Sequence, residues 1–338
     1  MPYFRKRSDI KSGVVGFGGA HGMGRYHVEH LRAAGVAPIA MVDPDPQRLS
    51  AAQQDFPELE RYRSVTDMLS RSEVNLVVIV TPHNTHAKLA IQCMKAGRHV
   101  ITEKPFAITT SECDRMIAEA KRRRVMLSTY HNRHWDSDPV DAVRQIRRGV
   151  IGQVVGVELN MCQYAPPDNS WRGSKSISGG ILYDWGAHIL EWGLQLIDSP
   201  MVEVTGFATR GFWAAKTKWK NDTIEDEVHA VVRFKSGQRL SLCISQISID
   251  SPPKLVVKGT KGNYVAGKII RQKGNQTITS THRLPPRHPE RYYQNVVAHL
   301  TKGTPLVITA QWARRPIHIM DLANRSAILG RSLRARYG

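Results

Sequence analysis

Apolar positions along the first 130 residues follow two alternating periods. Short apolar runs at Val14–Phe17, Ile39–Val42, Val74–Val80, His99–Thr102 and Val125–Thr129 predict strands. Between them, apolar residues three and four apart predict helices at Met23–Ala34, Pro46–Phe56, Val65–Ser70, His86–Ala96 and Ser111–Arg123. Ser111 is the expected N-cap of the last, and Gly97 follows the fourth as its C-terminal stop. Val74–Val80 is almost continuously apolar, as a strand covered on both faces requires. Strands alternating with helices predict an α/β fold built on a doubly wound parallel sheet.

Past residue 130 the pattern changes. Pro139–Arg148 reads as a helix stopped by Gly149, Val154–Met161 as a strand, and Gly179-Gly180 as the opening of a helix running to about Ile197. Strand patterns then dominate, at Val202–Arg210, Glu227–Phe234, Gln238–Ile247, Lys254–Lys258, Asn263–Ala266 and Thr277–Thr281. Helical patterns return at Glu290–Leu300 and Ala310–Ser332. The expected organisation is a first domain over 1–130 and, over 131–338, an α+β domain on a large, open, mostly antiparallel sheet. Val231, Phe234, Leu240, Leu242 and Ile244 predict apolar residues on both faces of that sheet. A second copy covering one face would make a homodimer or homotetramer.

Composition narrows the classes. The chain has 338 residues, 41% hydrophobic and 23% charged, enough for two cores. No apolar run approaches the ~20 residues that span a bilayer, and no secretory segment follows the basic start. No membrane partner and a cytoplasmic location are therefore expected. A net charge of +19 raises nucleic acid as a partner. The basic residues are dispersed, however, without a recognition module or stacking aromatics, so no specific nucleic acid is expected. Cys93, Cys113, Cys162 and Cys243 lie far apart with no C-x-x-C pair, and read as reduced thiols. His27, His30, His131 and His134 have no carboxylate at metal-site spacing, so no metal is expected.

Chemistry concentrates where predicted strands end. Val14-Val15-Gly16-Phe17-Gly18 leads through Gly22-Met23-Gly24 into a helix. Gly16 permits a tight turn, Gly18 lets backbone approach a pyrophosphate, and the helix N-terminus offers its N–H groups to the phosphates. The turn carries about three residues more than the usual spacing, around Ala20 to Gly22. Asp43, closing the second strand, is placed to accept from both hydroxyls of an adenosine ribose. That carboxylate disfavours a 2′-phosphate and predicts NAD over NADP, with Arg48 as the competing feature. Thr81, Pro82, Asn84 and His86 follow the third long strand, and Glu103 and Lys104 the next, at the same sheet edge. Lys104 there can polarise a substrate C–O bond. Asp184 and His188, four apart in a predicted helix, share a face; His188 can take a hydroxyl proton that Asp184 helps to orient.

The motifs together resemble the glucose–fructose oxidoreductase/inositol dehydrogenase (Gfo/Idh/MocA) family, from Gly13 to about Ser332. They are Gly16-Phe17-Gly18, Thr81-Pro82-His83-Asn84-Thr85-His86, Gly97-Arg98-His99-Val100-Ile101-Thr102-Glu103-Lys104-Pro105, and Gly179-Gly180 followed by Asp184 and His188. Glu225-Asp226-Glu227 and Gly259-Thr260-Lys261-Gly262 extend the likeness. The resemblance implies a Rossmann domain holding NAD or NADP, and an open sheet that covers the active site on one face. It implies Lys104, Asp184 and His188 as the catalytic and substrate-binding set, with Asn132, Trp171 and Arg172 near nicotinamide and substrate. Glu191 stands where such proteins often have aspartate.

The function this implies is hydride transfer between a nicotinamide cofactor and a secondary hydroxyl of a sugar, sugar derivative or cyclitol. Two alternatives stay open. One is a redox-neutral sugar lyase or glycosidase using tightly held NAD transiently. The other is a non-catalytic sugar or nucleotide sensor on the same fold.

Overall fold

The computed structural model describes residues 2–18 and 22–336. Gly19, Ala20 and His21, the centre of the long glycine turn, lie outside the described residues. The chain groups into two units, residues 1–131 with 290–314, and 132–289 with 315–338. Residues 290–314 thus pack with the first unit, although the pattern of elements alone assigns them to the second domain.

The first unit opens with β1 (Lys11–Val15), α1 (Met23–Ala33), β2 (Ala37–Val42), α2 (Pro46–Asp55), β3 (Glu60–Tyr62) and α3 (Val65–Arg71). It continues with β4 (Leu76–Ile79), α4 (His86–Lys95), β5 (His99–Thr102), α5 (Thr110–Arg123) and β6 (Leu127–Thr129). Among the described residues these strands form a six-stranded sheet in the order β3-β2-β1-β4-β5-β6, parallel throughout. The order reverses at β1, which is where ligands sit in such sheets. Leu76, Val77, Val78 and Ile79 are all fully buried, which explains the unbroken apolar run. Helix α5 begins one residue earlier than expected, capped by Thr109 rather than Ser111. Thr109 Oγ1 accepts from the Glu112 amide at 3.1 Å, and Glu112 Oε2 accepts from the Thr109 amide at 3.2 Å. Glutamate is long enough to close that reciprocal box. β3 escaped the sequence reading because it is a short, exposed edge strand of Glu, Arg and Tyr.

His99 makes this unit's stability depend on pH. Its Nδ1 accepts the Met126 amide at 2.9 Å, and burial, with the His299 charge, lowers its pKa to about 4. An unfolded histidine titrates near 6.5, so between about pH 6.5 and pH 4 only the unfolded chain takes up this proton. Stability is full above that window and falls within it as pH drops, by about 1.4 kcal/mol per pH unit. Urea unfolding of the wild type and of His99→Asn at pH 7 and pH 4.5 checks this. Equal pH slopes in the two proteins would refute it.

The second unit carries α6 (Ser137–Arg147), β7 (Val154–Cys162), α7 (Lys175–Ser178), α8 (Gly186–Leu194), β8 (Met201–Thr209), β9 (Glu227–Phe234) and β10 (Arg239–Ser245). It adds β11 (Leu255–Gly259), β12 (Gly262–Val265), β13 (Lys268–Lys273) and β14 (Gln276–Thr281). Then come α9 (Arg291–Lys302), which belongs to the first unit, α10 (Ala310–Leu329), and β15 (Leu333–Arg334). The sheet among the described residues has nine strands in the order β14-β13-β12-β11-β7-β10-β9-β8-β15, antiparallel except between β7 and β10. β13, with charged or polar side chains at four of six positions and only Ile269-Ile270 apolar, lacks the alternation that announces a strand.

Helix α8 packs on the inner face. A Cβ on Gly193 would lie 2.6 Å from Leu240 Cδ1 and 2.9 Å from Leu159 Cδ1, so glycine sets this close approach. Phe234, Leu240, Leu242 and Ile244 are all buried, and Val231 alone of the five predicted surface residues is partly exposed. The expected apolar outer face is therefore corrected: alternation sends those four side chains into the core. No helix among the described residues is long and apolar enough to cross a membrane.

Candidate active site

In the first unit, the carboxyl ends of β1, β2, β4 and β5 bring the predicted residues to one edge of the sheet. The Gly16 amide donates to Val42 O at 2.7 Å, and its φ of +97° together with a Cβ position 2.4 Å from Val80 O excludes a side chain. Gly24 is equally constrained, because its Cβ would lie 2.4 Å from Phe17 O. Gly18 differs. Among the described residues, the nearest atoms to its absent Cβ are the amide nitrogens of Met23 and Gly24, at 3.7 and 3.9 Å. Gly18 thus faces N–H groups at the start of α1, the kind of groups that receive phosphate oxygens.

Asp43 is buried just beyond β2. Its Oδ2 accepts the Phe17 amide at 3.0 Å and its Oδ1 the Asp45 amide at 3.0 Å, so the acid fixes the glycine turn from behind. Arg48, on α2, reaches back to 3.9 Å from Asp43 Oδ2 and 3.4 Å from Asp45 Oδ2. After β4, Thr81 Oγ1 bonds Thr85 Oγ1 at 2.6 Å, and Asn84 is exposed on the short 3-10 turn His83–Thr85. His86 was expected among cofactor-contacting residues. It is instead fully buried, with Nδ1 2.8 Å from Pro105 O and Nε2 2.9 Å from Thr81 O. Burial lowers its pKa, so the neutral ring donates to one of these carbonyls and packs its other nitrogen against the second, between the two strand-end turns.

Glu103 and Lys104 follow β5. Glu103 Oε2 accepts the Lys104 amide at 2.9 Å, and Oε1 pairs with His27 Nε2 at 2.8 Å. The other ring nitrogen of His27 lies 2.6 Å from the Tyr293 hydroxyl. His27 thus bridges the Glu103 carboxylate and the Tyr293 hydroxyl. Burial alone would raise the Glu103 carboxyl, but the His27 hydrogen bond and the charges of His27 and Lys104 outweigh it and hold the acid below its ordinary range. Sequence reasoning missed this pair, since 76 residues separate His27 from Glu103 and no local spacing announces it.

The second unit assembles its own set. Trp171 and Arg172 lie on the 3-10 turn Trp171–Gly173, with the guanidinium 4.5 Å over the indole. Arg172 Nε stands 3.9 Å from Asp184 Oδ1. Arg172, Asp184, Trp185, Gln163 and Gln246 line a cavity of about 300 Å³. Charged and amide groups beside an indole suit a polyhydroxylated ring, which has polar edges and C–H faces. Asn132 opens the 3-10 turn Asn132–Trp135, where Arg133 sits 4.8 Å over Trp185.

The predicted helix across Asp184 and His188 is corrected. A 3-10 turn covers Ile181–Tyr183 and α8 starts at Gly186, so Asp184 precedes the helix and His188 lies within it. The cause is Glu225, 44 residues on: its Oε2 accepts the Ile181 amide at 3.1 Å, and Gly180, at φ +118°, leaves room for that carboxylate. Lys175 and Arg210 both pair with Glu225 and hold its carboxyl low against the burial that would raise it. His188 is buried, its ring 5.9 Å from Trp185. Glu191 is fully buried and pairs with His134, and Trp192 is core, donating to Arg133 O at 3.0 Å.

Comparison with known proteins identifies both domains. Residues 10–131 match the GFO_IDH_MocA model, described as an oxidoreductase family with an NAD-binding Rossmann fold, and residues 140–265 match the GFO/IDH/MocA C-terminal domain. The scyllo-inositol 2-dehydrogenase (NADP(+)) IolW of Bacillus subtilis is 29% identical over 96% of this chain and 95% of its own. The myo-inositol 2-dehydrogenase of Thermotoga maritima is 27% identical over 77% of this chain and 76% of its own. An NAD-binding protein from Listeria innocua superposes with a TM-score of 0.83 at 25% identity, covering 98% of each chain. The WlbA dehydrogenase of Chromobacterium violaceum, solved with NADH and UDP-GlcNAcA, shares the fold with a TM-score of 0.80 at 21% identity over 100% of this chain and 99% of its own. With the glycine turn inside one family domain and Asp184 and His188 inside the other, the chain belongs to the Gfo/Idh/MocA family of NAD-binding oxidoreductases.

Proposed function

We propose that the protein is an NAD-dependent dehydrogenase acting on a secondary hydroxyl of a sugar, sugar derivative or cyclitol. The observation that carries the reading is the convergence of Gly16, Gly18, Asp43, Thr81-Pro82 and Glu103-Lys104 at the edge where the strand order reverses. The residues suit a dinucleotide: the Met23 and Gly24 amides stand beside Gly18 at the start of α1, and Asp43 follows β2 and holds the Phe17 amide. When bound, the nicotinamide supplies the hydride acceptor. Lys104 Nζ donates to the reacting substrate oxygen and stabilises the charge that develops there. His188 takes the hydroxyl proton, and Asp184, with Arg172 and Trp171, holds a neighbouring hydroxyl and the ring. The inositol dehydrogenases among the relatives support a polyol substrate.

The test is an absorbance assay for NADH over a panel of sugars, sugar acids and inositols. Steady NADH formation with one class supports the reading. Product without net NADH, from cofactor that survives dialysis, would replace it with the redox-neutral lyase. Binding of a sugar with no chemistry would leave only a sensor.

NAD is expected to bind more tightly than NADP. The Asp43 carboxylate repels a 2′-phosphate, and like charges brought together cost several kcal/mol, on the order of 100-fold in affinity. Arg48 opposes this, as its guanidinium already faces Asp43. Calorimetric titration should show Asp43→Ser narrowing the ratio and Asp43→Ser with Arg48→Ala weakening NADP again. Tighter NADP binding by the wild type would sink the proposal.

A further inference from the structure

The outer face of the second unit's sheet holds a cluster that the dehydrogenase reading does not use. Register sets His229 on β9 directly opposite Cys243 on β10, and Glu227 lies two residues from His229 on the same face. On the other side β7 runs parallel to β10, pairing Cys243 with Asn160, so Cys162 comes two residues on. Alternation turns all four side chains away from the buried Val228, Ala230, Leu242 and Ile244. One ligand atom each from Glu227, His229 and Cys243 lie within 4.8 Å of one another. His229 Nε2 is 3.0 Å from Glu227 Oε1 and 3.8 Å from Cys243 Sγ, and Cys243 Sγ is 3.7 Å from Cys162 Sγ.

Those three separations match three of the six edges of a metal tetrahedron; Cys162 lies outside the set of mutually close ligand atoms and reaches the fourth corner by turning about its Cα–Cβ bond. With Zn–S of about 2.3 Å and Zn–N and Zn–O of about 2.0 Å, tetrahedral angles give about 3.8 Å between two sulfurs, about 3.5 Å between sulfur and nitrogen, and about 3.3 Å between nitrogen and oxygen. We propose that Glu227, His229 and Cys243, with Cys162 in the fourth position, form a binding site for a borderline-soft divalent cation of the zinc class. Two thiolates, an imidazole and a carboxylate select such an ion over magnesium or calcium, which take oxygen ligands. The thiols are unbridged and half-buried, and each releases its proton to solvent when the ion binds. The site ties β7, β9 and β10 together. It is invisible to sequence spacing because its ligands come from three strands spread over 82 positions.

Cobalt(II) is the probe. Full-length protein stripped by chelator under reductant is titrated with Co²⁺ alone. The expected result is one ion per chain, a thiolate-to-metal charge-transfer absorption, and its loss when Zn²⁺ is added. Cys243→Ser and His229→Ala should each abolish the band. Cys162→Ser should bind cobalt more weakly with a band of reduced intensity. NAD affinity serves as the folding check on every variant. The proposal is overturned by wild-type protein that gives no thiolate band with its thiols intact. It is overturned equally by a band that survives Cys243→Ser, or by a Cys162–Cys243 disulfide without metal in protein isolated with zinc present and no reductant.

Discussion

Replacing Lys104 or His188 by alanine is expected to lower turnover by about 10²–10⁴-fold while leaving NAD affinity within about threefold of wild type. Both groups are proposed to act on charge at the reacting oxygen. That charge exists in the transition state and not in the bound ground state, so the loss falls on kcat rather than on cofactor binding. The factor corresponds to about 3–5 kcal/mol of barrier. Lys104→Arg keeps the charge but changes its shape and reach, and should recover only part of the rate. Steady-state kinetics with the best substrate of the panel, alongside NAD titrations of each variant, is the measurement. Turnover within about twofold for both variants would remove them from the chemistry, since general acid–base groups contribute far more.

The placement of the candidate residues of the first unit at one sheet edge was legible because each follows a strand that the apolar pattern locates. Val14–Val15, Met41–Val42, Val77–Ile79 and Ile101–Thr102 are buried strand interiors, and Gly16, Asp43, Thr81 and Glu103 come at their ends. Long-range ties were not legible. Gly179-Gly180 looks like the start of a helix until Glu225 is seen to capture the Ile181 amide, which delays α8 to Gly186. A propensity-based reading has no access to a carboxylate 44 residues away. The outer sheet face was misread for a related reason: Phe234, Leu240 and Leu242 are apolar on alternate positions, and only the register shows that all three point inward. His86 shows the limit for sites. Its place after a strand end suggests ligand contact, and only the fold shows the ring buried between the Pro105 and Thr81 carbonyls.

The buried pair behind Lys104 carries the second large effect. Glu103 is 8% exposed, and His27, its partner, is fully buried. Glu103→Ala removes the acceptor of both the His27 ring and the Lys104 amide and leaves a buried imidazole N–H without its partner. Breaking such a buried pair from one side costs about 3–5 kcal/mol of unfolding free energy. Glu103→Gln keeps the shape and one carbonyl acceptor, so its loss should be smaller, about 1–3 kcal/mol for one unsatisfied group. The pH dependence follows from the carboxyl's depressed pKa. An unfolded glutamate titrates near 4.3, so the stabilisation is complete above that value and disappears as pH falls through the lower folded value. The difference between wild type and Glu103→Gln should therefore be constant from about pH 5 to 8 and shrink in stronger acid. Guanidinium unfolding across that range decides it. A loss under about 1 kcal/mol for Glu103→Ala, the size of an ordinary exposed pair, would mean that His27 finds other partners and that Lys104 is not held from behind by this acid.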